Sequence, residues 1–337
     1  ILMITIVWTY TTTHNQNNVT MMVAHALPDG FISENVAHDQ AVSGAFINHP
    51  TSKSPVLLLA GKNGEISALE NPDESSDSKT ILNLRDRICH NGERGVQNIV
   101  PHPNFDDNHW IYLFYTDFAD GCKEEAGDET PQNIVVRFKM DPSTLDLDYG
   151  SREEIWRNTN SIKRNHNGGG MAFGNDGMLY ITTGDTGERS VVEPLDNLHG
   201  CVLRLTDVGD VPVDNPYTIK NGYKNSYKCS DTNGRPPNDA PDDSICSEIF
   251  MTGFRNPFRL TMNPHVTDKV LFTVQDVGSN NFEEVNYGGT DYAGASYGWP
   301  DFEGPCRKGS LTDCPLQPVD DNSNKPRHVE PFYYYAH

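Results

Sequence analysis

The chain has 337 residues, and 47 acidic against 26 basic side chains give it a formal net charge of −21. This length allows one or two average domains, or one larger all-β domain. Because so negative a surface repels polyanions, the charge excludes nucleic acid and anionic membranes as partners. Residues 1–10 form an apolar run that is too short to span a bilayer.

Residues 1–26 are predicted to be a leader that precedes the folded domain. The apolar run 1–10 is either the remains of a signal-peptide core or an arbitrary chain end. Residues 11–26 are polar and lack a periodic pattern, which is typical of disorder. Asn18-Val19-Thr20 is an N-glycosylation sequon, which matters if the chain is secreted.

Seven cysteines are present, and none lies in a C-x-x-C pair, which argues against a zinc ribbon or a thioredoxin-type site. Three disulfides are predicted: Cys229 with Cys246, Cys306 with Cys314, and Cys89 with Cys122. The first two pairs each bracket a polar loop, as disulfides do in an oxidising compartment. Cys201 is then the free thiol, in an apolar strand where a buried cysteine is common.

From residue 27 onward the sequence consists of short apolar strands separated by turns and polar loops. Five groups of such strands recur at intervals of about 40 to 70 residues, and no segment of any length has a helical period. This pattern predicts an all-β fold, and in particular the blades of a β-propeller with long loops between strands. A β-sandwich is the alternative, although it needs more regular strand spacing.

A hairpin with polar ends lies in the middle of the chain. His166 precedes the glycines 168–170, and a short strand, an Asp-Gly turn and a return strand lead to Asp185. Glycine lacks a Cβ, so the backbone there can approach a ligand closely. The hairpin can bring its ends together, and a histidine held by a carboxylate can take a proton from a hydroxyl. The alternative is a structural histidine beside an aspartate that caps the next turn.

Five stretches in a fixed order resemble the glucose/sorbosone dehydrogenase family, the soluble quinoproteins that use pyrroloquinoline quinone (PQQ). Any one match is weak, but five in sequence are specific. The stretches are GERGV at 92–96 with PHPNF at 101–105 and WIYL at 110–113; NHNGGGMAFGNDGMLYITTGD at 165–185; LHG at 198–200 with LR at 203–204 and DNP at 214–216; GFRNP at 253–257; and DVG at 276–278 with FEEVN at 282–286, YGWP at 297–300 and EG at 303–304.

The resemblance implies a six-bladed β-propeller of the soluble quinoprotein glucose dehydrogenase type over residues 27–337, with the cofactor over its central face. About five blades are expected in this sequence. The last blade, which in the family supplies further basic residues for the carboxylates of the quinone, is expected to be missing.

The family reaction oxidises the anomeric hydroxyl of an aldose to a lactone, with hydride transfer to the quinone. His166 is similar in position to the family's general base, and Asp185 to the carboxylate that orients it. Arg255 is similar to the cation beside the reacting quinone carbonyl. Cofactor contacts are implied for four residues: Arg255, Asn256, Glu93 and Asn167.

The resemblance also implies calcium as a second cofactor. In the family one calcium ion lies against the quinone and is held largely by backbone carbonyls, to which those of Val277 and Gly278 correspond. Glu283 and Glu284, with the carbonyl of Tyr297, resemble a second and structural calcium site. The alternative for the two glutamates is a solvated strand end.

Several departures keep the activity open. Asn165 stands where some sugar-oxidising relatives carry Asp, and Cys201 replaces a common Lys. The motifs are as close to the hedgehog-interacting-protein-like branch, which shares the propeller and is not established as quinone-dependent. We therefore expect a secreted, extracellular PQQ- and Ca²⁺-dependent sugar dehydrogenase that uses an external electron acceptor.

The alternative is a non-catalytic, calcium-stabilised propeller that binds a protein or glycan, and a third option is a truncated gene product that does neither. A glycosidase with Asp185 and Glu188 as paired carboxylates is also conceivable, but their spacing in a turn favours a loop cap.

Overall fold

The computed structural model describes residues 41–49, 54–70, 78–118, 120–123, 131–160, 163–232, 234–314 and 327–336. All of them belong to one compact unit, residues 36–337. The predicted leader 1–26, its glycosylation sequon and residues 27–40 lie outside the described residues. The described residues are almost entirely strands, turns and loops, and their one α-helix, α1, has four residues, Phe105–Asn108.

The strands are short, and the described residues form 22 of them. In chain order they are β1 (Ala41–Asn48), β2 (Pro55–Gly61), β3 (Glu65–Glu70), β4 (Lys79–Asn83), β5 (Val96–Pro101), β6 (Trp110–Thr116), β7 (Gln132–Met140), β8 (Leu147–Asn160), β9 (Met171–Phe173), β10 (Leu179–Thr183), β11 (Cys201–Leu205), β12 (Ser226–Tyr227), β13 (Ile245–Cys246), β14 (Ile249–Thr252), β15 (Pro257–Met262), β16 (Leu271–Asp276), β17 (Phe282–Gly289), β18 (Ala295–Ser296), β19 (Phe302–Glu303), β20 (Cys306–Arg307), β21 (Arg327–His328) and β22 (Tyr333–Ala336).

Four large sheets account for most of these strands. The first is the antiparallel meander β1-β2-β3-β4, and the second is β5-β6-β7-β8. The third has the order β21-β18-β14-β11-β10-β9, and the fourth has the order β15-β16-β17-β22. The pairs β12-β13 and β19-β20 form small ribbons in the loops. Sheets that follow one another along the chain in this way are typical of propeller blades.

Alternating side chains pack each sheet against the next, because successive residues of a strand point to opposite faces. On β6, Ile111, Leu113 and Tyr115 lie in the core between the first and second sheets. Tyr112 and Phe114, between them in sequence, lie in the core between the second and third sheets. A third core lies between the third and fourth sheets. The second and third sheets are therefore covered on both faces, as blades are.

The first strands of the four sheets lie side by side and are joined by polar contacts. Ser43 Oγ on β1 donates to Asn98 Oδ1 on β5 at 2.9 Å. Asn98 Nδ2 donates to the Gly169 carbonyl, just before β9, at 3.0 Å. Arg259 on β15 donates to the Val42 carbonyl on β1 at 2.6 Å. The segments that enter β5, β9 and β15 therefore lie near one another, and these segments carry the predicted site residues.

The prediction of an all-β propeller of this type is confirmed, and the strands after residue 295 differ from the expected start of a fifth blade. β18 and β21 extend the third sheet, and β22 pairs with β17 of the fourth sheet, from Phe282 opposite Ala336 to Val285 opposite Tyr333. The pattern of short strands indicates β structure, but which sheet each strand joins depends on long-range pairing.

The disulfide prediction is also confirmed. The structure contains the three pairs that were expected, and Cys201 is a buried free thiol on β11. Burial raises the pKa of the Cys201 thiol far above its ordinary value, so this cysteine stays protonated.

Candidate active site

The hairpin of β9 and β10 brings its two ends together, as the sequence predicts. The Thr186 N–H donates to the His166 carbonyl at 3.2 Å, so the chain that enters β9 lies against the chain that leaves β10. At Gly184 a Cβ would lie 2.1 Å from the His166 carbonyl oxygen. Only glycine permits this approach. His166 itself has a φ of 56°, in the left-handed region that non-glycine residues rarely adopt.

His166 and Asp185 form a buried hydrogen-bonded pair. The Nδ1 of His166 lies 2.6 Å from Oδ1 of Asp185, whose side chain is 1% exposed. Asp185 also accepts the Gly187 N–H at 2.7 Å and the indole N–H of Trp299 at 2.9 Å. Because an ionised carboxylate only accepts hydrogen bonds, Nδ1 donates and Nε2 carries the free lone pair. The histidine is thus oriented as a base.

Glu93 and Asn256 hold the backbone that carries this histidine. Glu93 Oε2 accepts the His166 N–H at 2.7 Å and the side-chain amide of Asn256 at 3.2 Å. Asn256 Oδ1 accepts the Gly168 N–H at 3.0 Å. Both side chains therefore lie beside the base, and the hydrogen bonds that they make are to the protein itself.

Asn167 lies deeper than the cofactor role implied for it. Its side chain is 1% exposed, and Asn133 Nδ2 on β7 donates to its carbonyl at 3.3 Å and to its Oδ1 at 3.2 Å. Asn167 thus anchors the segment before β9 to the second sheet. Its contact with a cofactor stays a prediction.

Arg255 is brought to the same site by its backbone and its side chain. Its carbonyl accepts the Asp185 N–H at 2.8 Å, and its guanidinium donates to the Val277 carbonyl at 3.0 Å. The guanidinium carbon lies 5.6 Å from the ring centroid of Trp299. Asp276 fixes this turn by accepting the backbone N–H groups of Arg255 at 2.9 Å and of Asn256 at 2.6 Å.

Asp276 is paired with Glu284 across β16 and β17, and both carboxyls are buried. Burial, and then the charge of Glu284, raise the pKa of Asp276 well above its ordinary value. Burial is also the largest cause that raises the pKa of Glu284, to about 7. Glu284 accepts the Gly304 N–H at 2.6 Å and a hydrogen bond from Asn286 at 3.2 Å. Asp276, the member of this pair that accepts the Arg255 N–H, therefore holds the turn on which Arg255 lies.

Four of the five predicted calcium ligands belong to this pair or adjoin it in the chain, namely Val277, Gly278, Glu283 and Glu284. Some of the predicted ligands already have protein partners. The Val277 carbonyl accepts from Arg255, and Glu283 Oε2 accepts the Gly278 N–H at 3.0 Å. Tyr297 is buried and stacks on Phe254, with ring centroids 4.6 Å apart. Among the described residues no group of three or more His, Cys, Asp or Glu side chains is arranged to hold a metal ion. The calcium sites stay predictions.

Three residues of the site were assigned no role from the sequence: Trp299, Asp276 and Lys308. Trp299 and Asp276 lie in the YGWP and DVG stretches, so the matching motifs were the available signal. Lys308 lies in the loop that the disulfide of Cys306 and Cys314 closes, and its Nζ lies 4.1 Å from the Trp299 ring centroid. No sequence signal marks this long-range contact.

The fold and the site together define a β-propeller in which a hydrogen-bonded histidine–aspartate pair lies next to an arginine, where the chain enters β9 and β15. The model of the family described as Glucose / Sorbosone dehydrogenase matches residues 49–227, which are 179 of the 337 residues. The chain belongs to this family.

Curated relatives include two sugar dehydrogenases and a hedgehog-interacting protein. The chain is 26% identical to aldose sugar dehydrogenase YliI of Escherichia coli over 68% of its own length and 54% of the relative's. It is 28% identical to quinoprotein glucose dehydrogenase B of Acinetobacter calcoaceticus, over 74% and 51%. It is 29% identical to human hedgehog-interacting protein, over 65% and 30%. The chain thus spans about half the length of the two enzymes.

Solved structures share the fold. The soluble aldose sugar dehydrogenase from Escherichia coli in its apo-form is 22% identical, with a TM-score of 0.63 over 88% of this chain and 72% of that one. The PQQ-bound aldose sugar dehydrogenase from Streptomyces coelicolor is 20% identical, with a TM-score of 0.58 over 88% and 70%. At these identities the likeness establishes the architecture alone.

Proposed function

We propose that this chain oxidises an aldose at its anomeric hydroxyl to the lactone, with PQQ as the hydride acceptor. The observation that carries the proposal is the contact of 2.6 Å between His166 Nδ1 and Asp185, whose other oxygen is held by Trp299. A binding module has no need of a histidine fixed in one tautomer. The family membership and the relatives named as aldose sugar and quinoprotein glucose dehydrogenases support the same reaction.

The residues present fit an acidic and planar cofactor. The guanidinium groups of Arg189 and Arg255 and the ammonium of Lys308 all lie within 5.6 Å of the Trp299 ring centroid. The Nζ of Lys308 is buried and has no hydrogen-bond partner among the described residues. Cations next to a flat ring, one of them a buried ammonium without an acceptor, suit a quinone that carries carboxylates. Arg255 and Asn256 are the residues that we assign to it.

His166 takes the first part in the reaction. Its Nε2 accepts the proton of the anomeric hydroxyl, and Asp185 stabilises the imidazolium that results. Trp299 and the Gly187 N–H keep the carboxylate in place while this charge develops. The chemistry that PQQ supplies when bound is acceptance of the hydride from the same carbon. Arg255 contributes a fixed positive charge beside the site, where negative charge is stabilised.

Calcium fits this arrangement less well. The acceptor expected from Val277 is already used by the Arg255 guanidinium, and a divalent cation on the same oxygen would be repelled by that charge. We therefore assign no step to calcium. The acidic residues Glu283 and Glu284 remain candidates for a structural ion, since carboxylate oxygens are the ligands that calcium prefers.

A second function is favoured by one specific observation. Hedgehog-interacting protein is a relative at 29% identity, and the chain covers only 30% of its length. On this alternative the chain is a non-catalytic propeller that binds a protein or a glycan, and the histidine–aspartate pair is inherited.

We also propose an extracellular location and an external electron acceptor. Three disulfides support an oxidising compartment. In the described part of the chain, no helix has the length and apolar character that crossing a membrane requires.

A titration of the purified protein with PQQ and Ca²⁺ tests the proposal. We expect saturable binding followed by loss of the oxidised-quinone absorbance when an aldose from a panel is added. The variant His166→Ala is expected to bind the quinone and to lose turnover. Absence of quinone binding, with an intact fold by circular dichroism, would instead support the binding module.

A further inference from the structure

Three cations surround the ring of Trp299. The Lys308 Nζ lies 4.1 Å from the ring centroid, and the guanidinium carbons of Arg189 and Arg255 lie 5.4 and 5.6 Å from it. Arg189 follows the Asp185 turn, Arg255 precedes β15, and Lys308 lies in the loop after β20. We call these three residues the cation cluster. They come from three distant segments, so the tertiary fold has assembled them.

The carboxylates near the cation cluster have other hydrogen-bond partners. In the described part of the chain none of its members forms an ion pair with a side-chain carboxylate, and the buried Lys308 Nζ has no hydrogen-bond partner. The charges of Asp185 and Glu303 act on Lys308, and the Asp276 carboxylate lies beside Arg255, where it accepts backbone N–H groups. Asp185 is used by His166 and Trp299. Glu303 Oε1 accepts the four backbone N–H groups of residues 279–282.

Three cations thus lie around one ring, and the carboxylates near them accept hydrogen bonds from other donors, in a chain whose net charge is −21. Burial, and next the charge of Arg189, lower the pKa of Lys308. A desolvated ammonium that is also repelled by a neighbouring cation is unfavourable unless an anion joins it. The short loop closed by Cys306 and Cys314 holds Lys308 in position, so the cluster is formed before any ligand arrives.

We propose that the cation cluster of Arg189, Arg255 and Lys308 binds one carboxylate group of a ligand that enters the His166 site. A carboxylate supplies acceptor oxygens for the buried Lys308 ammonium and for guanidinium groups, which bind carboxylates through a planar pair of N–H donors. Trp299 joins the cluster to Asp185 and so to the base. If the proposed sugar oxidation holds, on which this assignment rests, the preferred substrate class is an acidic aldose such as a hexuronic acid. The carboxylates of the quinone are the other source of the same chemistry.

Direct binding separates these sources without any need for turnover. Isothermal titration measures the affinity of the purified protein for glucuronate, for glucose and for PQQ. We expect glucuronate to bind about ten times more tightly than glucose, with an advantage that shrinks as ionic strength rises. Lys308→Gln and Arg189→Gln are each expected to remove this advantage. Arg189 is exposed, so its replacement keeps the fold.

Lys139→Gln is the matched control, because the Lys139 Nζ lies 5.5 Å from the ring centroid of Trp110. It is expected to leave all three affinities unchanged. If Lys308→Gln weakens the binding of PQQ and leaves the affinity for glucuronate unchanged, the carboxylate that the cluster binds belongs to the quinone. If both Gln variants bind each of the three ligands as tightly as the unmodified protein does, the assignment is overturned. If the variants weaken glucuronate binding while no aldose is oxidised by the unmodified protein, the carboxylate subsite is supported and the proposed function is wrong.

Discussion

Two tryptophans, Trp110 and Trp299, have cations over their rings, but the charges around them are balanced differently. Over Trp110 the Arg137 guanidinium lies 4.4 Å from the ring centroid, pairs with Glu153 at 2.6 Å and reaches Asp207 at 3.8 Å. Over Trp299 the cation cluster forms no such ion pair with any described side chain. Cations therefore lie over a tryptophan ring in both regions, but they are ion-paired with carboxylates only around Trp110.

The difference supports the proposal that a ligand binds in the Trp299 region rather than in the Trp110 region. The charges around Trp110 satisfy one another at the outer part of the second sheet, which is what a stabilising surface network requires. Around Trp299 the three cations form no ion pair with a described side-chain carboxylate, and they lie beside the histidine–aspartate pair. Perturbed and uncompensated charges cluster at functional sites, because chemistry and binding use them. Variants matched between the two regions can therefore test each role.

The largest effect is expected from Asp185→Asn. An amide in this position presents an N–H to His166 Nδ1 and favours the tautomer whose Nε2 is protonated, so the base is lost. We expect kcat for aldose oxidation to fall by about 10³- to 10⁴-fold, with PQQ binding retained. Asp207→Asn, beside Trp110, is the control and should leave kcat unchanged. Turnover within a few-fold of the unmodified protein in Asp185→Asn would remove His166 from the mechanism.

The second effect is on the pH dependence of stability, and one histidine in each region is used to test it. His199, near Asp185, is 2% exposed, and burial lowers its pKa from 6.5 to about 4. The unfolded chain therefore takes up a proton between pH 6.5 and 4 that the folded chain does not, and stability falls as the pH falls through this range. The loss should reach on the order of 3 kcal/mol at pH 4.

Chemical denaturation at a series of pH values measures this loss. His199→Gln should flatten the curve between pH 6.5 and 4. His102→Gln, which alters the histidine 3.5 Å from Asp207 in the Trp110 region, should leave the acid limb in place. An unchanged slope in His199→Gln would assign the acid sensitivity to other groups.

Trp299→Phe should have a smaller effect than Asp185→Asn or the acid-induced loss of stability assigned to His199. It keeps a ring beneath the cations but removes the indole N–H that Asp185 accepts at 2.9 Å. Loss of one hydrogen bond to a charged group is worth about 1.5–3 kcal/mol, so we expect kcat to fall by at least about 10-fold. Trp110→Phe should change stability only. Equal kcat in the two Phe variants contradicts a positioning role for Trp299.

The smallest effect is on stability in the absence of ligand. Lys308→Gln removes a partly desolvated ammonium from among like charges, and we expect a gain of about 0.5 kcal/mol in the free energy of unfolding at low salt, smaller at high salt. Arg137→Gln breaks the balanced network around Trp110 and should be destabilising. A loss of stability in both variants would show that the cation cluster is structural.

Much of the site could be predicted because its residues lie in short local motifs. The hairpin from His166 to Asp185 contains its own turn, so an antiparallel pair brings the two ends together without help from distant residues. The disulfides of Cys229 and of Cys306 close short polar loops that the sequence also displays. Glu93 and Arg255 were marked by the family resemblance, and the structure brings Glu93 to the histidine and Arg255 to its partner Asp185.

What could not be predicted depends on contacts between distant segments. Trp299 lies 114 residues from the carboxylate that it holds, and no local pattern encodes that contact. The buried pairing of Asp276 with Glu284 depends on the register of β16 and β17. The strand β22 resembles the start of a further blade in sequence, yet it completes the fourth sheet, because an exposed edge on β17 offers unpaired backbone groups.

The sequence by itself determined that the described part of the chain is all-β, that Cys229 pairs with Cys246 and Cys306 with Cys314, and which histidine and aspartate meet. Each of these follows from periodicity or from a short loop. The tertiary structure decided how the sheets share their strands and which cations gather around Trp299. Those outcomes depend on packing between sheets, where the free energy is set by side chains that are far apart along the chain. For the same reason the proposed carboxylate subsite becomes visible only in the folded molecule.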